Sequence, residues 1–212
     1  ETARLCEAIG VDPFEVMDLV CRDRQLNISP AYLKPGFAFG GSCLPKDLRA
    51  TNYIARSHDV ELPMLGAILE SNRLHLNHAI DKVLTSGARR VAMIGLSFKT
   101  GTDDLRESPL VMLAEALIGK GVKLSVFDPD VSLSRLLGAN KRFIEKHLPH
   151  IGELVGDDLS ATVADAELVV IGTSNRMVLD ELARVLQPSQ KLLDLVNVRA
   201  STLADKAQGL CW

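Results

Sequence analysis

The chain has 212 residues, of which 47% are hydrophobic and 24% are charged, and its formal net charge is −3. These values are typical of an ordinary globular protein with one large or two small domains. The slight negative charge gives no electrostatic reason to expect a nucleic acid or an anionic membrane as a partner. We also expect no signal peptide and no membrane span, since the sequence has no apolar run of about 18 residues.

The four cysteines, Cys6, Cys21, Cys43 and Cys211, are widely spaced along the chain. They form no Cys-x-x-Cys pair and no cluster with histidine, which argues against a zinc site and against a disulfide framework. This distribution of cysteines predicts that no metal is bound and that the protein is located in a reducing cytoplasm.

The first part of the chain has the apolar spacing of helices. Short helices are predicted at residues 2–10 and 13–23, and further helices at about 45–57 and 63–84. The first residues have the pattern of a helix interior, so we expect the sequence to be a fragment of a longer protein. We interpret residues 1–87 as an all-α module, whose long last helix buries an apolar face on the next domain or on a second subunit.

After Ser86-Gly87 the pattern changes to short apolar runs that alternate with helices. Strands are predicted at residues 90–96, 123–127, 167–173 and 191–196, and an amphipathic helix at residues 108–120. Continuous apolar strands of this kind are typical of a parallel sheet that is covered on both faces. The sequence therefore predicts an α/β protein, in which a doubly wound parallel-sheet domain at residues 88–212 follows the helical module.

A glycine-rich loop at residues 35–47, PGFAFGGSCLPKD, carries a candidate nucleophile. Glycine lets a backbone approach a ligand closely, and Pro45 suits the first turn of a helix, so Cys43 is expected at a helix N-terminus. The partial positive charge there, together with Lys46, favours the thiolate form of the cysteine. Asp47 follows in the first turn. The alternative interpretation is that Cys43 is a small packing residue in an ordinary turn.

A second polar loop, GLSFKTGTDDLRESP at residues 95–109, follows the first predicted strand. Ligands of open α/β sheets bind beyond the carboxyl ends of the strands, and Lys99 and Arg106 are cations suited to phosphate or carboxylate. The loop is not a Gly-x-Gly-x-x-Gly turn. The alternative is a solvated loop whose cations are balanced by acidic neighbours. Asp128, after the second strand, is either a ribose ligand or a turn residue before Pro129.

The two loops together resemble the signatures of the UDP-glucose/GDP-mannose dehydrogenase family, the nucleotide-sugar 6-dehydrogenases. The string GFAFGGSCLPKD is similar to the cysteine loop of the GDP-mannose branch, and FKTGTDDLRESP is similar to the second signature of the family. The resemblance extends over essentially the whole chain. It implies a helical dimerisation module followed by a Rossmann-like domain that binds the nucleotide sugar.

The resemblance also implies an activity: an NAD-dependent enzyme that oxidises the C6 alcohol of GDP-mannose to a carboxylate, with two NAD reduced per sugar. Cys43 would carry the thiohemiacetal and thioester intermediates, and Asp47 would assist proton or water handling. Lys46 and Arg106 would contact NAD. The residues implied for the nucleotide sugar are Tyr32, Lys34, Phe37, Gly40 and Lys99. The implied assembly is a homodimer formed through the helical module.

Two positions depart from the pattern of the GDP-mannose branch. Lys34 stands where that branch has arginine, and Ala31 stands where it has tyrosine. Because lysine offers a point charge in place of a bidentate fork, a UDP-sugar 6-dehydrogenase is an alternative. A second alternative is a non-catalytic dimerisation and nucleotide-binding module. The family's catalytic lysine and asparagine and its NAD turn would lie upstream of residue 1, so the chain alone is expected to be inactive.

Overall fold

The computed structural model describes residues 2–12, 15–16, 19–20, 22–24, 36–97, 101–102, 104–131, 154–198 and 201–211. In this part of the chain, helices come first and a parallel sheet follows. The helical part contains α1 (Thr2–Ile9), α2 (Leu44–Ser57) and α3 (Pro63–Thr85). The later elements are β1 (Arg90–Ile94), α4 (Pro109–Gly119), β2 (Lys123–Phe127), β3 (Val155–Gly156), α5 (Leu159–Val163), β4 (Leu168–Ile171), α6 (Arg176–Val185), β5 (Lys191–Asp194) and β6 (Ala207–Gly209).

The helices of the first part agree with those predicted. The predictions at residues 2–10, 45–57 and 63–84 correspond to α1, α2 and α3, each within one residue at one end. Of the predicted helix at residues 13–23, the structure describes only part, and residues 15–16 and 19–20 are helical. Proline occupies the first turn of both α2 and α3, where its fixed φ suits the helix and its missing N–H is not needed.

Six strands of the described residues form one sheet in the order β3-β2-β1-β4-β5-β6. All neighbouring strands run parallel. This is the 3-2-1-4-5-6 order of doubly wound α/β folds, and it reverses direction between β1 and β4. The four residues of β4 are all buried, as expected for a strand that is covered on both faces. The prediction of an α/β fold with a parallel sheet is confirmed.

Two apolar clusters cover the opposite faces of the sheet. The residues of β1 alternate between them, since Met93 belongs to the first cluster and Ala92 to the second. Helices α3 and α4 contribute to the first cluster, and α5 and α6 to the second. The C-terminal half of α3 therefore packs on the sheet, through Ala79 and Val83, whereas Met64 in its first turn is exposed.

The structure differs from the prediction mainly at short elements. β3 and β6, of two and three residues, were not predicted, because so few residues show no periodicity. β1 ends at Ile94, two residues earlier than predicted, and Gly95 follows with a φ of +102°. Among the helices that the structure describes, none is long and apolar enough to cross a membrane.

Candidate active site

Cys43 occupies the N-cap position of α2. The helix begins at Leu44, Pro45 follows in the first turn, and Asp47 is the acidic residue of that turn. The Asp47 amide donates to the Cys43 carbonyl oxygen at 2.9 Å, so the two residues are one helical turn apart on one side of the helix. The thiol is exposed, and Ser42 Oγ lies 3.9 Å from its sulfur. The predicted position of Cys43 at a helix N-terminus is confirmed.

Side chains of α3 hold the segment that precedes the cysteine. Asn72 Oδ1 accepts from the Phe39 amide at 2.9 Å, and Asn72 Nδ2 donates to the Phe39 carbonyl oxygen at 2.8 Å. One turn further along, His75 Nε2 lies 2.8 Å from the Gly36 carbonyl oxygen. The His75 ring is 6.2 Å from the ring of Phe37, between centroids. Helix α3 thus contacts three residues of this segment, through two of its own side chains.

The same segment lies against the turn that precedes α4. The Gly41 amide donates to the Glu107 carbonyl oxygen at 3.3 Å. A Cβ atom on Gly40 would collide with that same oxygen and would lie 2.6 Å from Pro109 Cδ. Glu107 has a φ of +50°, which is uncommon for a residue with a side chain. The close approach of two backbones therefore requires glycine at position 40, independently of any ligand.

An ion pair joins α2 to the turn before α4. Arg49 Nη1 donates to Glu107 Oε2 at 2.9 Å, and Nη2 donates to Oε1 at 2.5 Å. The hydrogen bonds from Arg49 hold the pKa of the Glu107 carboxyl below its usual range, and the same contact raises the pKa of Arg49. Because 53% of the Arg49 side chain and 35% of the Glu107 side chain are exposed, water screens this pair.

Arg106 lies in the same turn, and its charge interacts with Cys43. Its Nε and Nη2 atoms each donate to an Asp104 carboxylate oxygen at 2.7 Å, and these bonds lower the pKa of Asp104. Half of the Arg106 side chain is exposed. Lys46, in the first turn of α2, is also exposed and lies 3.3 Å from Asp47 Oδ1. A thiol, a carboxylate and two cations are thus grouped around the start of α2.

Asp128 organises the carboxyl end of β1. The residue is 4% exposed, and Oδ2 accepts from the amides of Leu96 and Ser97 at 2.7 and 3.1 Å. The other oxygen, Oδ1, accepts from the Asp130 amide at 2.9 Å. Both carboxylate oxygens therefore have backbone partners, which supports the interpretation of Asp128 as a turn residue rather than as a ribose ligand.

The structure describes six of the nine residues that the resemblance implies for the site. It groups Cys43, Lys46 and Asp47 in one helical turn, and it brings Arg106 into electrostatic range of the thiol. Phe37 and Gly40 lie in the segment before the cysteine, and Phe37 packs against the first apolar cluster. The remaining three positions, Tyr32, Lys34 and Lys99, lie outside the described residues.

Sequence reasoning missed the residues that hold this segment in place. Asn72 falls among the regularly spaced, mostly apolar positions of α3, and a polar side chain there was the available signal. Arg49 and Glu107 carried no such signal, because their contact joins residues 58 positions apart.

The chain belongs to the doubly wound α/β class, because its parallel sheet has the strand order 3-2-1-4-5-6. Helices precede this sheet in the sequence. Two family models match it. One is described as the UDP-glucose/GDP-mannose dehydrogenase family, central domain, and covers residues 1–74; the other, the UDP binding domain of the same family, covers residues 92–200. The chain belongs to the UDP-glucose/GDP-mannose dehydrogenase family, and the resemblance of its two loops is confirmed.

Individual relatives agree with this assignment. The chain is 48% identical to GDP-mannose 6-dehydrogenase of Pseudomonas aeruginosa over 212 residues, which are 100% of this chain and 48% of that protein. It is 32% identical to UDP-glucose 6-dehydrogenase of Rickettsia felis over 178 residues, 82% of this chain and 37% of that protein.

A solved structure is also similar. A crystal structure of a ternary complex of GDP-mannose dehydrogenase from Pseudomonas aeruginosa matches with a TM-score of 0.91 and 47% identity, covering 100% of this chain and 48% of the other. The chain therefore spans about half the length of the curated relatives that it matches.

Proposed function

We propose that this chain is part of an NAD-dependent nucleotide-sugar 6-dehydrogenase that oxidises GDP-mannose to GDP-mannuronate. The observation that carries the proposal is the exposed thiol of Cys43 at the start of α2, one turn from Asp47 and within electrostatic range of Arg106. The identity of 48% to a GDP-mannose 6-dehydrogenase, against 32% to a UDP-glucose 6-dehydrogenase, favours the GDP-sugar. Because the chain spans about half of these relatives, the activity is proposed for the complete polypeptide.

The chemistry needs a nucleophile because the oxidation of an alcohol to an acid passes through an aldehyde. The Cys43 sulfur adds to the aldehyde carbon, and the thiohemiacetal keeps the half-oxidised sugar in the site. Loss of a second hydride from this carbon and of the proton from its hydroxyl group converts the adduct to a thioester, which water cleaves to the carboxylate and the free thiol. NAD, when bound, supplies the hydride acceptor. Covalent attachment thus divides one difficult reaction into easier steps.

Asp47 is assigned to proton or water handling beside the nucleophile. Its backbone amide donates to the Cys43 carbonyl oxygen, and its side chain is exposed one turn from the thiol. A carboxylate in this position can accept a proton from the water that attacks the thioester. Lys46 Nζ lies 3.3 Å from Asp47 Oδ1, and both side chains are exposed to water.

The cations of the site fit the phosphates of a dinucleotide. Lys46 and Arg106 both expose at least half of their side chains, and their N–H groups are suited to phosphate oxygens. Arg106 has an electrostatic interaction with Cys43, which links this cation to the site of the nucleophile. We therefore assign Lys46 and Arg106 to NAD. For the nucleotide sugar, the assigned residues are Phe37 and Gly40, together with Tyr32, Lys34 and Lys99 outside the described ranges.

We also propose that residues 1–87 form a dimerisation module and that residues 88–212 form the nucleotide-sugar-binding domain. Large apolar side chains are exposed on α2 and α3, and they support an interface with a second copy of the chain. These side chains are Leu44, Tyr53, Ile54, Met64 and Leu74. Analytical ultracentrifugation of the complete polypeptide is expected to give a dimer, and a monomer at all concentrations would contradict the proposal.

The activity is tested with the complete polypeptide, as wild type and as Cys43→Ser. The wild type is expected to form two NADH per GDP-mannose and to use GDP-mannose in preference to UDP-glucose, and Cys43→Ser is expected to form no acid. Cys211→Ser is the matched control, because Cys211 is also exposed but lies outside the loop. Wild-type acid formation by Cys43→Ser would refute the nucleophile, and a preference for UDP-glucose would refute the substrate.

The isolated 212-residue chain distinguishes a third possibility, a non-catalytic binding module. We expect the chain to bind GDP-mannose, seen as an increase in its melting temperature, and to form no NADH on its own. NADH formation by the isolated chain would contradict this expectation. A complete polypeptide that binds the nucleotide sugar without any oxidation would favour the non-catalytic module.

A further inference from the structure

We infer that Asn72 is a positioning residue that fixes the cysteine loop through a paired hydrogen bond with the backbone of Phe39. The inference rests on the proposed function, because the loop matters for the reaction through Cys43. The two hydrogen bonds measure 2.9 and 2.8 Å, and they use both polar ends of one carboxamide. They also satisfy both polar groups of one backbone residue, in the way that a neighbouring β-strand does.

This pairing is specific to asparagine at this position. Aspartate has two acceptors and no donor when ionised, and leucine, which has nearly the same shape as asparagine, has neither. Both Asn72 and Phe39 are partly buried, and a backbone amide or carbonyl that loses its partner in such a place is costly. The helix therefore supplies a hydrogen-bonding surface for the loop that no other side chain of this length reproduces.

The hydrogen bonds at Phe39 constrain the position of the thiol, because the stretch of chain between them is short. Between Phe39 and Cys43 lie only Gly40, Gly41 and Ser42, and glycines add little rigidity of their own. Gly41 is bonded to the Glu107 carbonyl oxygen on the other side of the loop. The start of α2 is thus held from two sides, by Asn72 on α3 and by the backbone of the turn before α4. Without the Asn72 pair, the contact between His75 and the Gly36 carbonyl oxygen remains on the α3 side, but it lies three residues further from the cysteine.

Asn72→Leu and Asn72→Asp test this role in the complete polypeptide. Hydrogen exchange, followed by mass spectrometry, is expected to become about tenfold faster in the peptide covering residues 36–42 and to stay unchanged elsewhere in α3 and in the sheet. The kcat for GDP-mannose oxidation should fall about tenfold and KM should rise by a smaller factor, because the thiol is displaced while only Phe37 and Gly40 of the assigned substrate residues lie in the loosened segment. Asn77→Leu and Asn77→Asp, on the same helix, are the matched controls and should leave both readouts unchanged.

The outcomes separate this role from simpler ones. A general packing defect would accelerate exchange throughout α3 and lower the yield of folded protein without a specific loss of kcat, and would overturn the inference. So would unchanged kcat and exchange in both Asn72 variants. If neither variant folds, exchange in the wild type decides, since unprotected amides across residues 36–42 would refute the paired bond. A wild-type protein that oxidises no nucleotide sugar would refute the proposed function, while the exchange experiment would still decide the role of Asn72.

Discussion

The Glu107 carboxylate accepts hydrogen bonds from both terminal nitrogens of Arg49, at 2.9 and 2.5 Å. This pair connects α2, whose N-cap is Cys43, to the turn that carries Arg106. The partners are 58 residues apart in the sequence, so the contact exists only when the helical part packs against the sheet. The geometry around the thiol therefore depends on the packing of these two parts of the chain.

Removal of this ion pair is expected to cost little stability. In a double-mutant cycle of Arg49→Gln and Glu107→Gln, the coupling free energy should be about 0.2–1 kcal/mol, because both side chains are partly exposed. Urea unfolding measures it, and added salt should reduce it through screening. Glu70→Gln, which breaks the local pair with Arg73 on α3, is the control and should leave the coupling free energy between Arg49 and Glu107 unchanged. A coupling free energy of zero at low salt would contradict the contact.

Low pH is expected to weaken the ion pair between α2 and the turn before α4. Hydrogen bonds from arginine hold the pKa of Glu107 and of Asp104 below the usual values of 4.5 and 3.8. A carboxyl group whose pKa is depressed by folding stabilises the protein above its unfolded pKa, and this contribution is lost as pH falls through the folded value. The free energy of unfolding should therefore decline below about pH 4.5, and Glu107→Gln should decline less steeply. If the free energy of unfolding of the wild type and of Glu107→Gln depends on pH in the same way, Glu107 does not contribute to the loss of stability in acid.

Gly40→Ala is expected to destabilise the protein by about 1–3 kcal/mol, the usual cost of overpacking. The added Cβ would meet the Glu107 carbonyl oxygen and the Pro109 ring, neither of which is the end of a flexible side chain. Gly36→Ala is the matched control, because a Cβ at that position meets nothing within 4 Å. Urea unfolding of both variants is the measurement. Equal stability of the two would mean that the backbones do not approach as closely as described.

Arg106→Gln is expected to slow the alkylation of Cys43 by iodoacetamide, since the electrostatic interaction between the guanidinium and Cys43 is lost. Peptide mass spectrometry measures the rates of individual cysteines. Cys211 is an exposed thiol in the same molecule, and its rate should not change. The same Cys43 rate in both proteins would show that Arg106 does not act on the thiol.

The sequence was most informative about local structure. The spacing of apolar residues predicted α2 and α3 within one residue, and β2 at its observed bounds of Lys123–Phe127. The Cys-Leu-Pro sequence placed Cys43 at a helix N-terminus, because proline is compatible with a helix only in its first turn. The short strands β3 and β6 could not be predicted in this way, since their hydrogen bonds come from neighbouring strands and not from a local pattern.

By itself, then, the sequence determined the helices of the first part, the four longer strands and the parallel sheet, because periodicity, proline and glycine act over a few residues. The resemblance of its two loops indicated the family. Only the tertiary structure decided which side chains hold the cysteine loop. Asn72 meets Phe39 from 33 residues away, and Arg49 meets Glu107 across a longer interval. Such contacts depend on how α3 and the turn before α4 pack around the loop, and hydrogen bonds between distant residues leave no spacing that a single sequence displays.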